Sequence, residues 1–120
     1  MSGYHEPVEE MKQQDRDFSR ALNSMKEEIE AVDWYHQRVA TTTDPTLKAI
    51  LEHNRNEEIE HACMILEWLR RNMMPWDDQL KTYLFTKLPI TEIEGAENGQ
   101  ETPEEKSPST KGTLNIGNLR

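Results

Sequence analysis

The sequence predicts an all-α chain, a two-helix antiparallel hairpin followed by a short C-terminal helix, and three observations carry that prediction. Proline and glycine are absent between Pro7 and Pro45 and again between Pro45 and Pro75. Apolar residues in both stretches recur at alternating steps of three and four, the period of a helix and not of a strand. Between them Thr41-Thr42-Thr43-Asp44 and Pro45 supply a break, an N-cap and a proline at the first helical position.

The first helix is expected from about Val8 to Ala40. Its apolar series is heptad-like: Met11, Phe18, Leu22, Met25, Ile29, Val32 and Val39, with Asp15 and His36 filling the gaps. A second row runs beside it through Ala21, Met25, Glu28, Val32, Tyr35 and Val39, so the buried face is wide, as a bundle needs. The second helix is expected from about Pro45 to Met73, with Leu47, Leu51, Asn54, Glu58, His61, Ile65 and Trp68 at the same steps. Pro75 ends it, and Trp76 to about Thr86 reads as a third, shorter helix before Pro89. At 1.5 Å per residue each long helix would span roughly 45 Å, too long to be buried by one partner helix alone.

Of the 120 residues 34% are apolar and 31% charged, and the net charge is −9. Negative charge argues against a nucleic-acid partner and favours cations. No run of about 18 apolar residues is present and the N-terminus lacks the marks of a secretory signal, so no membrane partner and a cytoplasmic location are expected. One cysteine, Cys63, allows no intrachain disulfide and no cysteine-rich zinc module. Any metal would be held by His and carboxylates. Residues 1–94 hold a net −8 and are expected to form the folded domain. Residues 95–112, rich in Gly, Pro, Ser, Thr and Glu, read as a linker, and 113–120 as a terminal segment.

Polar residues interrupt the apolar face of the second helix, and there the chemistry is expected. Glu58 and His61, three apart, point the same way, and Glu28 lies on the apolar face of the first helix. An unpaired carboxylate in a core costs several kcal/mol, a cost that metal coordination or protonation relieves. One Glu plus a Glu-x-x-His is half of the ligand set of di-iron carboxylate bundles. The Glu-x-x-His spacing alone arises about half a time by chance in a chain of this composition, so its placement at the centre of an inner face matters more. A hydrogen-bonded polar layer remains the alternative for these residues. Asp33-x-x-His36 competes, with His36 expected as a satisfied interface histidine. Glu27, Glu30 and Asp33 read as a solvated acidic face, Trp34 and Tyr35 as packing, and His53 with Glu57 as a surface pair.

Four segments, Glu27 to Tyr35, His53 to His61, Leu66 to Arg71 and Thr82 to Thr86, together resemble the encapsulated ferritins of bacteria and archaea over about residues 5–92. The resemblance implies that two hairpins dimerise into a ferritin-like four-helix bundle, that five dimers form a ring-shaped decamer, and that the ring is cargo of an encapsulin nanocompartment. It implies ferroxidase activity on Fe²⁺ with dioxygen or peroxide as oxidant. By position Glu28, Glu58 and His61 correspond to the ligands of two irons per subunit dimer, and Tyr35 to a tyrosine beside them. Trp34 corresponds to a gating tryptophan near the metal path, and Glu27 and Glu30 to secondary ligands on that path. Thr113 to Arg120, with Leu114, Ile116 and Leu119 around Gly117, is similar to the peptides that dock cargo to the encapsulin shell protein. Two other readings stay open: a non-catalytic helical interaction protein, and another di-metal oxidase or catalase on the same bundle.

Overall fold

A computed structural model describes residues 3–97. Leu114, Ile116 and Leu119, with the rest of the expected targeting segment, lie outside the described residues. The described chain is helical throughout its regular structure: a short 3-10 helix, Val8–Glu10, then α1 (Gln13–Thr41), α2 (Pro45–Asn72), α3 (Met74–Tyr83) and α4 (Ile90–Glu97). It divides into two compact units at Met74 and Pro75, which are taken separately below.

In the first unit the chain begins later as a helix than the sequence predicts. Met11 and Lys12 are extended, with ψ of 137° and 163°. The side chain of Asp15 accepts the Lys12 backbone N–H at 3.1 Å, so Asp15 closes the first turn and does not continue an apolar seam. Arg16 Nη2 donates to the Val8 carbonyl at 3.1 Å and fastens the preceding 3-10 helix to α1. A three-residue connection, Thr42 to Asp44, then returns the chain, and α1 packs along α2 as an αα-hairpin. Asp44 starts α2 as the sequence predicts: its Oδ1 accepts from the backbone N–H groups of Thr46 at 2.9 Å and Leu47 at 3.1 Å, with Pro45 in the first turn. At the other end Glu67 takes Arg70 Nε at 2.8 Å and Arg71 Nε at 2.7 Å. Those two guanidiniums lower its carboxyl to about 2, while they also place positive charge on the last turn of α2.

The seam between α1 and α2 follows the second of the two predicted rows. Ala21, Met25, Glu28, Val32 and Tyr35 are half-buried and Val39 is buried, whereas Leu22 and Ile29 of the heptad row stand 41% and 57% exposed. Phe18 of α1 meets Trp68 of α2 edge-on, with centroids 6.1 Å apart. A pair of helices has too little facing surface to cover every apolar side chain, which leaves Ile59 on one side of α2 and Met64 and Trp68 on the other exposed.

In the second unit α3 ends at Tyr83, three residues before the predicted Thr86, and Phe85 closes the turn at φ 63°. Asp77 is buried and pairs with Lys81 one turn on, Nζ to Oδ2 3.0 Å. The short helix α4 was not predicted; it follows Pro89, whose carbonyl accepts from the Glu92 and Ile93 N–H groups, and it buries Ile93. It runs three residues past the expected end of the folded domain at 94.

Candidate metal centre

The midpoint of α1 and the midpoint of α2 face each other in the hairpin, and the three polar residues that interrupt their seam meet there. Glu28 projects from the inner row of α1. Glu58 and His61 project together from α2, because residues three apart stand one above the other on a helix. His61 Nδ1 lies 3.4 Å from Glu58 Oε1 and 3.5 Å from Glu28 Oε1. Among the described residues this is the one group of three or more ligand-type side chains whose donor atoms all lie within 4.8 Å of one another.

The two carboxyls and the imidazole of the group act on one another's charge. Sharing a proton with the neighbouring Glu58 carboxyl, then burial, then the Glu58 charge push Glu28 above the ordinary carboxylate range, against the opposing pull of His61. Burial pulls the His61 imidazolium down, but the carboxylates of Glu28 and Glu58 together outweigh it, and the net shift is upward. Glu28 Oε1 is sealed from solvent and has no hydrogen-bond partner of good geometry. An acceptor left in that state costs about 1–3 kcal/mol, which a proton, a hydrogen-bond donor or a cation relieves. Two hard carboxylates and one imidazole suit a divalent transition metal such as iron, so the residues present fit the metal that the sequence implies.

The remaining predicted residues lie around this group. Glu27 and Glu30 are exposed on α1 and are not among the three grouped side chains. Trp34 is 51% exposed and lines a shallow groove with Gln37, Arg38 and Thr41. Tyr35 is half-buried on the inner row two turns beyond Glu28, and the Arg38 guanidinium stands 5.1 Å over its ring. His36 is exposed, and its Nδ1 meets Arg55 Nη1 of α2 at 3.1 Å, a tie between the two helices. An open groove lined by Ala21, Ser24, Met64, Ile65 and Trp68 leads along the hairpin to Glu28.

One neighbour of the group escapes the sequence reading. Glu57 Oε1 approaches His61 Nε2 at 3.9 Å, while its Oε2 lies 3.9 Å from His53 Nε2. The sequence pairs Glu57 with His53 alone; the i, i+4 spacing of Glu57 and His61 was the available signal.

A family model described as EncFtn-like matches residues 3–87. A protein of Thermotoga maritima named ferritin-like is 63% identical over 116 residues, covering 97% of this chain and 96% of that protein. An encapsulated ferritin-like protein of Rhodospirillum rubrum is 50% identical over 121 residues, covering 97% of this chain and 86% of its own length. Among solved structures, that of a Nitrosomonas europaea protein matches with a TM-score of 0.71 at 55% identity, covering 74% of this chain and 98% of that one.

Proposed function

The chain belongs to the EncFtn-like family, and from that premise we propose that it is a ferroxidase, taking Fe²⁺ as substrate at a di-iron site completed between two copies and delivering Fe³⁺ for storage inside an encapsulin shell. The observation that carries the reading is the convergence of Glu28, Glu58 and His61 within 4.8 Å in one hairpin. A single chain contributes two carboxylates and one imidazole. Two iron ions need about twice that, the two Glu and two Glu-x-x-His of di-iron bundles. A second hairpin related by a two-fold would supply the other half and would cover Met64 and Trp68, which stand exposed in the groove beside Glu28.

The chain's own groups then have distinct tasks. Glu28 and Glu58 would supply the hard, negatively charged oxygen donors that hold Fe²⁺. His61 offers a nitrogen to one iron per chain. Carboxylate oxygen stabilises Fe³⁺ over Fe²⁺, which favours loss of one electron per iron to dioxygen or peroxide. Glu27 and Glu30, exposed at the same level of α1, gather Fe²⁺ from solution, with Trp34 and Tyr35 beside the path inward. Residues 113–120 dock the assembly to the shell, with Leu114, Ile116 and Leu119 as apolar anchors on an extended segment.

Replacing Glu58 tests the reading most directly. Glu58→Ala is expected to lose rapid Fe²⁺ oxidation, followed by the rise of ferric absorbance, and to bind less than half the iron per chain. Wild-type oxidation rates in that variant would refute the site and favour a polar layer that only fixes helix register. Deleting residues 113–120 is expected to leave oxidation intact and to abolish loading into co-expressed shells; equal loading would refute the targeting role.

A further inference from the structure

We infer that Glu57 is a positioning residue for the metal centre: its carboxylate holds the Nε2 edge of His61 so that Nδ1 stays turned toward Glu28 and Glu58. The inference rests on reading those three residues as metal ligands. The two ring nitrogens of His61 are sorted in space. Nδ1 lies 3.4 Å and 3.5 Å from the oxygens of Glu58 and Glu28, whereas Nε2 faces Glu57 Oε1 at 3.9 Å.

An imidazole that ligates through one nitrogen keeps its proton on the other. That N–H requires an acceptor, and a carboxylate in this place fixes the tautomer, sets the ring plane and strengthens the ligand. His61 needs such help because its side chain is 45% exposed, so packing does not clamp the ring. Glu57 at 3.9 Å is an ion-pair neighbour beyond hydrogen-bond range, and its half-exposed side chain would swing toward the ring to make the bond.

Glu57 has a second imidazole on its other side. Its Oε2 lies 3.9 Å from His53 Nε2, so His53, Glu57 and His61 follow one another at successive turns of one face of α2. The Glu57 carboxylate thus lies between two rings, and His61 is the one it would orient.

The test uses the full chain and Co²⁺, whose visible absorption reports ligand geometry. Calorimetric titration is expected to show Glu57→Ala binding Co²⁺ about 10–100-fold more weakly than the wild type. Its d–d bands should be displaced as the ring loses its fixed plane. In Glu57→Gln the amide oxygen still accepts from Nε2–H, and affinity should return to within about threefold of the wild type with its band positions. Unchanged affinity and spectrum in Glu57→Ala would overturn the inference alone. Equal losses in Glu57→Gln and Glu57→Ala would overturn it as well, because Glu57 would then act as a charge or as a ligand. A wild-type protein that takes up no Co²⁺ would overturn the metal reading and this inference with it.

Discussion

Glu28 is the residue at which stability and function pull apart. Its folded-state pKa is raised, so the native environment favours its protonated form. The associated stability is present below the ordinary carboxylate pKa and is lost as pH rises through the raised one, which leaves a liability near neutral pH when no cation is bound. Glutamine mimics the protonated carboxyl without its charge. Glu28→Gln is therefore expected to melt about 2–4 °C above the metal-free wild type at pH 7, with the gap closing toward pH 4.5. Thermal unfolding by circular dichroism at the two pH values measures this, and a lower melting point at pH 7 would contradict the assignment. At this scale the sequence was informative wherever helical spacing alone decides geometry. Glu58 and His61 are three apart, and Glu28 falls on the row that becomes the seam, so their meeting was legible. The Arg55–His36 tie and the Arg38 guanidinium over Tyr35 depend on rotamers of long side chains, which no periodicity encodes.

The elements show the same division between what local chemistry dictates and what it leaves open. Asp44-Pro45 specifies the start of α2 by itself, since one carboxylate satisfies two of the otherwise orphaned backbone donors. Asp44→Ala should cost about 1 kcal/mol, which for a folded part of this size lowers the melting temperature by about 4–8 °C. Asp44→Asn, which keeps an acceptor oxygen, should melt near the wild type; a loss as large as that of alanine would show that charge and not capping matters there. The start of α1 was less legible because Val8 to Lys12 contain no helix breaker, and only the Asp15 side chain turning back onto Lys12 N–H shifts the first turn to Gln13. Pro89 and Gly95 punctuate a segment with little helical signal, yet α4 starts just after Pro89 and runs through Gly95, with Ile90 and Ile93 on one helical face. Choosing between the two apolar rows of α1 needed the partner helix, since both rows carry the same period.

The whole molecule places a net charge of −9 and several exposed apolar side chains on one short chain. These two features oppose each other: like charge keeps copies apart, while Leu22, Ile29, Ile59, Met64 and Trp68 gain by being covered. A divalent cation held by Glu28, Glu58 and His61 would tip the balance, because it neutralises carboxylates beside Met64 and Trp68. Met64 is the residue to change. It is 64% exposed, lies one turn beyond His61 on α2, and lines the groove that leads to Glu28. Covering a methionine side chain is worth about 1.5–3 kcal/mol, and a two-fold interface covers two of them. Met64→Glu should thus weaken self-association more than 100-fold, roughly the effect of losing 3 kcal/mol. In sedimentation velocity the wild type with Fe²⁺ under anaerobic conditions should run as a dimer or larger, and the variant near the 14.1 kDa of one chain with unchanged helical circular dichroism. Wild-type sedimentation of Met64→Glu would move the contact to another face, and with it the place where the second half of the ligand set must come from.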